Sequence, residues 1–271
     1  MDGNRKRIDA LMVSMGIAPS REKAKEMIKS GNVYLNGKVV SKAGLLANVC
    51  DIIEYKGETE RYVSRGGLKL EKAVEAFKLD LSGYLCIDIG ASTGGFTDCM
   101  LQNGAKKVYA VDSGSGQLSP VLERDPRVVN LEKTNFRYIT EKEIPECADF
   151  ASADVSFISL KHILPALSPL IKDGGSAVCL IKPQFEAGRE NVGKKGVVKD
   201  SRIHIKVIEN VCSYAVQAGF SVSALDFSPV KGPEGNIEYL VYLKKSEVQT
   251  PSAPDIAGVV GAAHARFKAG E

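Results

Sequence analysis

The stretch Tyr84-Leu-Cys-Ile-Asp88-Ile-Gly90-Ala91-Ser92-Thr-Gly94-Gly95-Phe96-Thr97 constrains the fold of this chain more than any other. Its apolar start reads as a short buried strand, its glycines as an abrupt turn, and Phe96-Thr97 as the opening of a helix. Farther along, a second apolar strand, Lys107-Val-Tyr-Ala-Val-Asp112, ends in a carboxylate. A strand, a glycine turn, a helix and a later acid build a nucleotide crevice in an open α/β sheet. The turn lets a ligand approach the backbone, and the acid can bond ribose hydroxyls. Each glycine alone is ordinary turn punctuation; the spaced set is what favours a cofactor site. The spelling is not GxGxxG, so the turn leaves open which nucleotide-like group it holds.

Around and beyond this turn the chain alternates strand and helix. Strands are expected near 84–89, 107–112, 127–131, 148–154 and 175–182, and helices near 68–79, 94–103, 117–124, 140–144, 159–171 and 200–218. Buried strands separated by helices imply an α/β fold with a doubly wound, mostly parallel, Rossmann-like sheet. Ser221–Phe227 and Asn236–Lys244 are joined by a Pro/Gly turn with no helix between them, so they should pair antiparallel. Residues 246–271, rich in Ser, Pro, Ala and Gly, read as a weakly ordered tail with room for a short last helix.

The amino-terminal part has a different character. Residues 1–45 carry nine Lys/Arg against four acids, a local net of +5 in a chain whose overall balance is only +3. A basic module of this kind points to a polyanion, the bland alternative being a solvated charged face. Ile8, Leu11, Met12 and Met15 form the apolar stripe of a helix over Arg7–Gly16. Ser20 caps a second helix, Arg21–Ser30, which Gly31 stops, and Asn36-Gly37 turns a hairpin between Val33 and Val40. Asp51–Tyr55 is a further strand. These residues divide the chain into a module at 1–60, a linker at 61–67 relaxed by Gly66-Gly67, a domain at 68–245 and the tail.

Composition narrows the class. No run reaches the roughly 18 uncharged apolar residues of a membrane span, and no apolar signal core follows the basic N-terminus. The six cysteines are scattered without a CxxC pair, which reads as reduced core thiols, no metal site and a cytoplasmic protein.

Four polar residues interrupt apolar surroundings where the sheet should present its ligand edge. Asp154 ends the fourth strand, Lys182 the fifth, Glu238 lies inside the last, and Lys69 sits in the helix after the linker. Open α/β sheets bind ligands at the carboxyl ends of their strands, so Asp154 and Lys182 should face the 88–95 turn. A lysine after five apolar residues is costly unless paired. Each of the four could equally serve as a structural ion-pair partner.

Residues 5–60, through Arg7-Ile-Asp, Ser20-Arg21-Glu-Lys-Ala24 and Ile28-Lys-Ser-Gly31-Asn-Val33-Tyr-Leu-Asn36-Gly37-Lys38, resemble the S4 RNA-binding fold. Lys69, Asp154, Lys182 and Glu238 resemble the Lys-Asp-Lys-Glu set of FtsJ-like 2′-O-ribose methyltransferases. The whole stretch 5–245 resembles the TlyA family of hemolysin-like rRNA methyltransferases. The likeness rests on Ser64-Arg-Gly-Gly-Leu-Lys69-Leu, Asp88-Ile-Gly-Ala-Ser-Thr-Gly-Gly-Phe-Thr-Asp98, Gly116-Gln-Leu118, Asp154-Val-Ser-Phe-Ile-Ser, Lys182-Pro-Gln-Phe-Glu186 and Gly232-Pro-Glu-Gly-Asn236-Ile-Glu238. One departure is Asp112-Ser-Gly-Ser-Gly116, where the family's loop would carry a bulkier aromatic.

The resemblance implies S-adenosylmethionine as cofactor, the reversed last strand being a hallmark of sheets that bind it. Asp88, Gly90, Ala91, Ser92, Gly94, Gly95, Phe96, Asp112 and Asp154 would bind it. It implies methyl transfer to a ribose 2′-OH of ribosomal RNA, a cytidine, by a monomer acting on ribosomal subunits without metal or membrane. Lys69, Asp154, Lys182 and Glu238 would be catalytic. Arg7, Arg21, Lys23, Lys25, Lys29, Lys38, Arg65 and Arg189 would contact RNA phosphates, the last two flanking the site, with the Lys- and Gly-rich segment 186–199 as a mobile loop. Lys182 is the first choice for steering or deprotonating the hydroxyl, and a lysine acting as base needs its pKa lowered from about 10.4. The rivals are a nicotinamide-dependent enzyme in the same crevice, a membrane-lysing hemolysin and a non-catalytic RNA-binding ribosome factor.

Overall fold

The computed structural model describes residues 5–18, 20–57, 61–245 and 254–268. The chain divides into two units, 1–60 and 61–271.

In the first unit, helices Ile8–Ser14 and Arg21–Lys29 pack on a three-stranded antiparallel sheet of Lys38–Val39, Val33–Leu35 and Ile53–Tyr55. A separate antiparallel pair, Arg5–Arg7 with Leu46–Asn48, was not legible in the sequence. The Lys23 amide donates to the Ser20 hydroxyl at 3.2 Å, closing the cap. Asn36 and Gly37 both have positive φ, +50° and +78°, as a type I′ turn requires. Met15 departs from expectation: the helix stops at Ser14, and Met15 is 48% exposed rather than inward. Gly16, at φ +71°, turns the chain away there.

Asp9 is fully buried, and its carboxylate takes Arg7 at 2.9 Å and Arg21 at 3.0 Å. The bonds from Arg7, more than those from Arg21, hold its pKa down to about 2 against the opposing effect of burial. Two of the arginines expected on RNA phosphates thus also brace the module's own core, with their side chains about half exposed. Lys23 and Lys25 pair along the helix with Glu26 and Glu22, while Lys29 and Lys38 are exposed.

The second unit is built on one seven-stranded sheet. Its strands, numbered within this unit, are β1 (Leu85–Ile89), β2 (Lys107–Val111), β3 (Val128–Leu131), β4 (Ala148–Ala153), β5 (Ile171–Ile181), β6 (Phe220–Phe227) and β7 (Tyr239–Lys245). They lie in the order 3-2-1-4-5-7-6. The neighbours from β3 to β5 pair parallel, whereas β7 enters between β5 and β6 antiparallel to both. All five residues of β1 are buried, because helices cover both faces of the sheet. Side chains alternate across the strand: Leu85, Ile87 and Ile89 join one core, and Cys86 joins the other beside Leu70, Phe96 and Met100. Asp88 shares the Cys86 face, so it points under the helix after the turn.

Four expectations are corrected. The stretch 159–171 is not one helix but the short turns Leu160–His162, Leu164–Leu167 and Ser168–Leu170, after which β5 begins at Ile171. Pro165 and Pro169 lack the amides a continuous helix needs. Residues 140–144 form a turn, with the Thr140 amide and hydroxyl both bonded to Glu143. Gly66-Gly67 is not a slack joint: the helix runs Gly66–Phe77, and a Cβ on Gly67 would fall on the Tyr62 ring. Within the tail, Ile256–Lys268 is a helix whose Val260 and Ala263 are buried in the larger core, so apolar burial orders what composition suggested was loose. Residues 246–253 and 269–271 lie outside the described residues.

Candidate active site

Two clefts open along the carboxyl ends of the strands. The first, about 530 Å³, lies between the ends of β1, β2 and β4, bordered by Gly90, Ser92, Asp112, Asn135 and Asp154. The second, about 330 Å³, is bordered by Arg65, Lys69, Phe96, Lys182, Gly232 and Glu238. Gly90, Ser92, Asp154 and Ser156 border both, so the clefts meet over the turn.

The turn is shaped by sterics. Gly90 sits at φ +81°, and a Cβ there would stand 2.6 Å from the Asp154 carbonyl oxygen. Gly94, at φ +94°, is pressed by Leu118 and Leu122, and a Cβ on Gly95 would meet Ser64 and the Gly67 amide. The Ser92 amide donates to Asp112 at 2.8 Å, and the Gly114 amide donates to its other oxygen at 2.7 Å. Each oxygen keeps a lone pair for a ribose hydroxyl. Glu132, at the end of β3, takes the amides of Gly116, Gln117 and Leu118, which pull its pKa below the ordinary glutamate value. Those three bonds order the Asp112–Gly116 loop without a bulky aromatic, and they leave only Pro120–Glu123 helical where 117–124 was expected.

Asp88 does not border either cleft. It is fully buried and accepts from the hydroxyls of Thr97 at 2.7 Å and Ser152 at 3.0 Å, tying β1 to the next helix and to β4. Burial, against those two bonds, pushes its carboxyl up to about 6. A raised carboxyl costs the fold nothing while both states are protonated, and stability falls as pH rises from about 4 to 6. Asp88→Asn is expected to remove a pH-dependent loss on the order of 3 kcal/mol, at about 1.4 kcal/mol per pKa unit. Urea midpoints of both proteins at pH 4 and pH 7 check this; identical pH dependence in the two would sink it.

The four isolated polar residues converge. Lys69 reaches Glu238 at 2.8 Å and Asp154 at 3.4 Å, and Lys182 reaches Asp154 at 2.6 Å and the Ser156 hydroxyl at 3.0 Å. Glu238, Lys69 and Lys182 are buried, so the run Glu238–Lys69–Asp154–Lys182 is a charge-balanced quartet with little water to screen it. Burial pulls the Lys69 ammonium down, but Asp154 and Glu238 outweigh it and hold its pKa above the ordinary lysine value. Gly232 is needed at the quartet's edge, since a Cβ there would stand 2.6 Å from a Glu238 carboxylate oxygen.

Arg65 is exposed on the second cleft, whereas Arg189, also exposed, borders neither. The motif Lys182-Pro-Gln-Phe-Glu186 has a structural half: Glu186 accepts from the Ser159 hydroxyl at 2.6 Å and the Leu160 amide at 2.8 Å. That fastens the segment after β5 to the loop after β4. Sequence reasoning missed Ser156, Glu132 and Phe157. Glu132 ends an apolar strand as Asp112 does, a signal that could have found it. Phe157 gave none: it is 90% exposed at φ +63° and leans on Phe185, ring centroids 5.0 Å apart, beside Lys182.

Residues 62–245 match the sequence profile of the FtsJ-like methyltransferases, and residues 6–53 that of the S4 domain. The chain is 46% identical to the YqxC protein of Bacillus subtilis, over 99% of its own length and 97% of that protein. It is 40% identical to the 16S/23S rRNA (cytidine-2′-O)-methyltransferase TlyA of Mycobacterium tuberculosis, over 98% of each chain. A solved, hemolysin-named chain from Streptococcus thermophilus shares 49% identity at a TM-score of 0.77, over 98% of both.

Proposed function

This chain belongs to the TlyA family of FtsJ-like methyltransferases with an amino-terminal S4 domain, and we propose that it methylates the ribose 2′-OH of a cytidine in ribosomal RNA. The observation that carries the reading is the quartet Glu238–Lys69–Asp154–Lys182, set where the two clefts meet.

The cofactor is S-adenosylmethionine, and the first cleft fits it: Gly90 lacks the Cβ that would fill the turn, and Asp112 stands ready for ribose hydroxyls. When bound, it supplies a sulfonium-activated methyl group. The protein's task is then to align a poor nucleophile and ease the loss of its proton. Lys182 Nζ, oriented by Asp154 and Ser156, meets the substrate's 2′-oxygen and steadies the charge that develops there. Asp154 links the two lysines, so the ammonium of Lys182 is compensated before substrate arrives. Lys69 and Glu238 hold Asp154 in that position. Selecting the 2′-OH makes the site specific for RNA over DNA. The exposed ring of Phe157 offers the substrate base a stacking face.

The S4 unit supplies phosphate contacts from Lys25, Lys29 and Lys38. Replacing any one by Ala should lower the slope of log K against log salt by about one. Arg7→Ala, in contrast, should mainly lower the melting temperature, because Asp9 loses a partner. Equal salt slopes for Lys29→Ala and wild type would refute the phosphate assignment. On this reading the protein works on ribosomal subunits, in the cytoplasm and as a monomer. No described helix is long and apolar enough to cross a membrane. Incubation with labelled S-adenosylmethionine and unmodified subunits, followed by mapping of 2′-O-methyl positions, tests the whole reading. Label on a cytidine ribose is expected. Labelling of neither subunit, with leakage from liposomes, would overturn it in favour of the membrane-active reading.

A further inference from the structure

The buried imidazole of His204 has no part in the quartet or in either cleft. It lies in the helix Ser201–Gln217 and is fully enclosed. Its Nε2 is 2.9 Å from the Val198 carbonyl, which can only accept, so Nε2 carries the proton. Its Nδ1 therefore accepts, taking the Tyr239 hydroxyl at 2.6 Å, with His264 Nε2 of the last helix at 3.3 Å. Burial and the neighbouring His264 pull the His204 pKa below the ordinary imidazole value, against the Val198 carbonyl and Asp200. Burial likewise pulls His264 down, with Lys268 beside it, and pushes the Tyr239 phenol up, so the hydroxyl stays a donor. The ring is neutral at physiological pH: a fixed donor, not a switch.

What it holds leads to the active site. The other polar group of Val198, its amide, donates to the Asn236 side chain at 3.0 Å, and Asn236 in turn donates to the Gly196 carbonyl at 2.9 Å. The Asn236 backbone carbonyl accepts from the Gly232 amide at 2.9 Å, closing the turn on which Glu238 rests. Asn236 and Val198 are both buried. A strap, Gly196–Val198, is thus pinned on one side by His204 and on the other by Asn236, whose carbonyl holds Gly232 on the wall of the second cleft.

We propose that His204 is a positioning residue for methyl transfer: it locks the Gly196–Val198 strap to the Asn236 turn that seats Glu238, with His264 of the last helix backing it. The catalytic consequence rests on the methyltransferase reading; the clamp itself does not. Residues 254–268, beyond the 62–245 profile match, thereby gain a part in the site.

The test pairs His204→Phe, which keeps a ring but no donor, with His204→Gln, whose amide restores one. His204→Phe is expected to lower kcat on ribosomal subunits roughly tenfold, since small misplacements of catalytic groups are costly. Its affinity for S-adenosylmethionine should stay within about twofold of wild type, because the clamp lies off the first cleft. Hydrogen exchange at the Val198 amide should quicken by about tenfold, and His204→Gln should recover most of both losses. Unchanged kcat and exchange in His204→Phe would overturn the proposal, as would a loss of cofactor affinity and general protection that Gln fails to restore. Should His204→Phe not fold, Tyr239→Phe and His264→Ala keep the imidazole and each remove one of its partners: faster exchange at Val198 supports the clamp, unchanged exchange refutes it. A wild-type protein that methylates neither subunit would remove the methyltransferase reading alone, while the exchange rates would still judge the clamp.

Discussion

Lys182→Met is expected to lower methyl transfer by about 10³-fold, within the range lost when one group that stabilises developing charge is removed. Affinity for S-adenosylmethionine should change little, while the melting temperature should fall, because the buried quartet is left one positive charge short. The reason lies in the quartet's connectivity. Lys182 is its terminal member, so removing it leaves Asp154 paired with Lys69 at 3.4 Å and leaves the Lys69–Glu238 contact at 2.8 Å intact. The Gly90–Asp112 side of the first cleft does not depend on Lys182. The 2′-oxygen loses its cation, and Asp154 keeps only Lys69. Single-turnover methylation of ribosomal subunits, with calorimetric titration of the cofactor, separates the effects. Activity within tenfold of wild type would refute the role given to Lys182. Loss of RNA binding along with activity would assign it to holding RNA rather than to chemistry.

Glu238→Gln should destabilise the second unit by about 3 kcal/mol, the cost of breaking a buried ion pair from one side. Glu238 is 1% exposed and faces Lys69, whose other partner, Asp154, is shared with Lys182. Because Lys69 is held above the ordinary lysine value, the pair's contribution is full below about pH 10 and fades only as pH rises through the folded value. The destabilisation should therefore be constant across neutral pH. Lys69→Met combined with Glu238→Gln removes both charges and should recover most of the stability, since neutral replacements of a buried pair are often tolerated. Activity should not return, as Asp154 would then be held by Lys182 alone. Urea unfolding of the two single variants and the double variant gives the coupling. Additive losses would show that the contact at 2.8 Å contributes nothing.

The parts of this protein that were legible in its sequence are those set by local rules. Ser20, Asn36-Gly37 and the turn at Gly90–Gly95 are short-range signals, where a cap or a positive φ admits few residue types. The order of strands and helices came from apolar runs, and the absence of a helix between the last two strands implied their antiparallel pairing. The misreadings share a cause. Residues 159–171 were expected as one helix and 246–271 as a weakly ordered tail with room for a short helix, but prolines broke the first and burial orders the helix Ile256–Lys268 in the second. Gly66-Gly67 looked like slack in the chain, although Gly67 is packed closely against Tyr62.

The sequence by itself determined that a glycine turn, an acid at the end of β2 and four out-of-place polar residues exist, because each is a local exception to its surroundings. Only the tertiary structure decided how they are shared out. Lys69 and Glu238 are 169 residues apart, yet their charged groups meet at 2.8 Å. That meeting depends on β7 entering between β5 and β6, a long-range choice of sheet order. The same folding turned Asp88 away from both clefts and gave it to Thr97 and Ser152, because strand alternation points its side chain inward. It also drew Arg7 and Arg21 to Asp9, since a buried carboxylate needs charged partners.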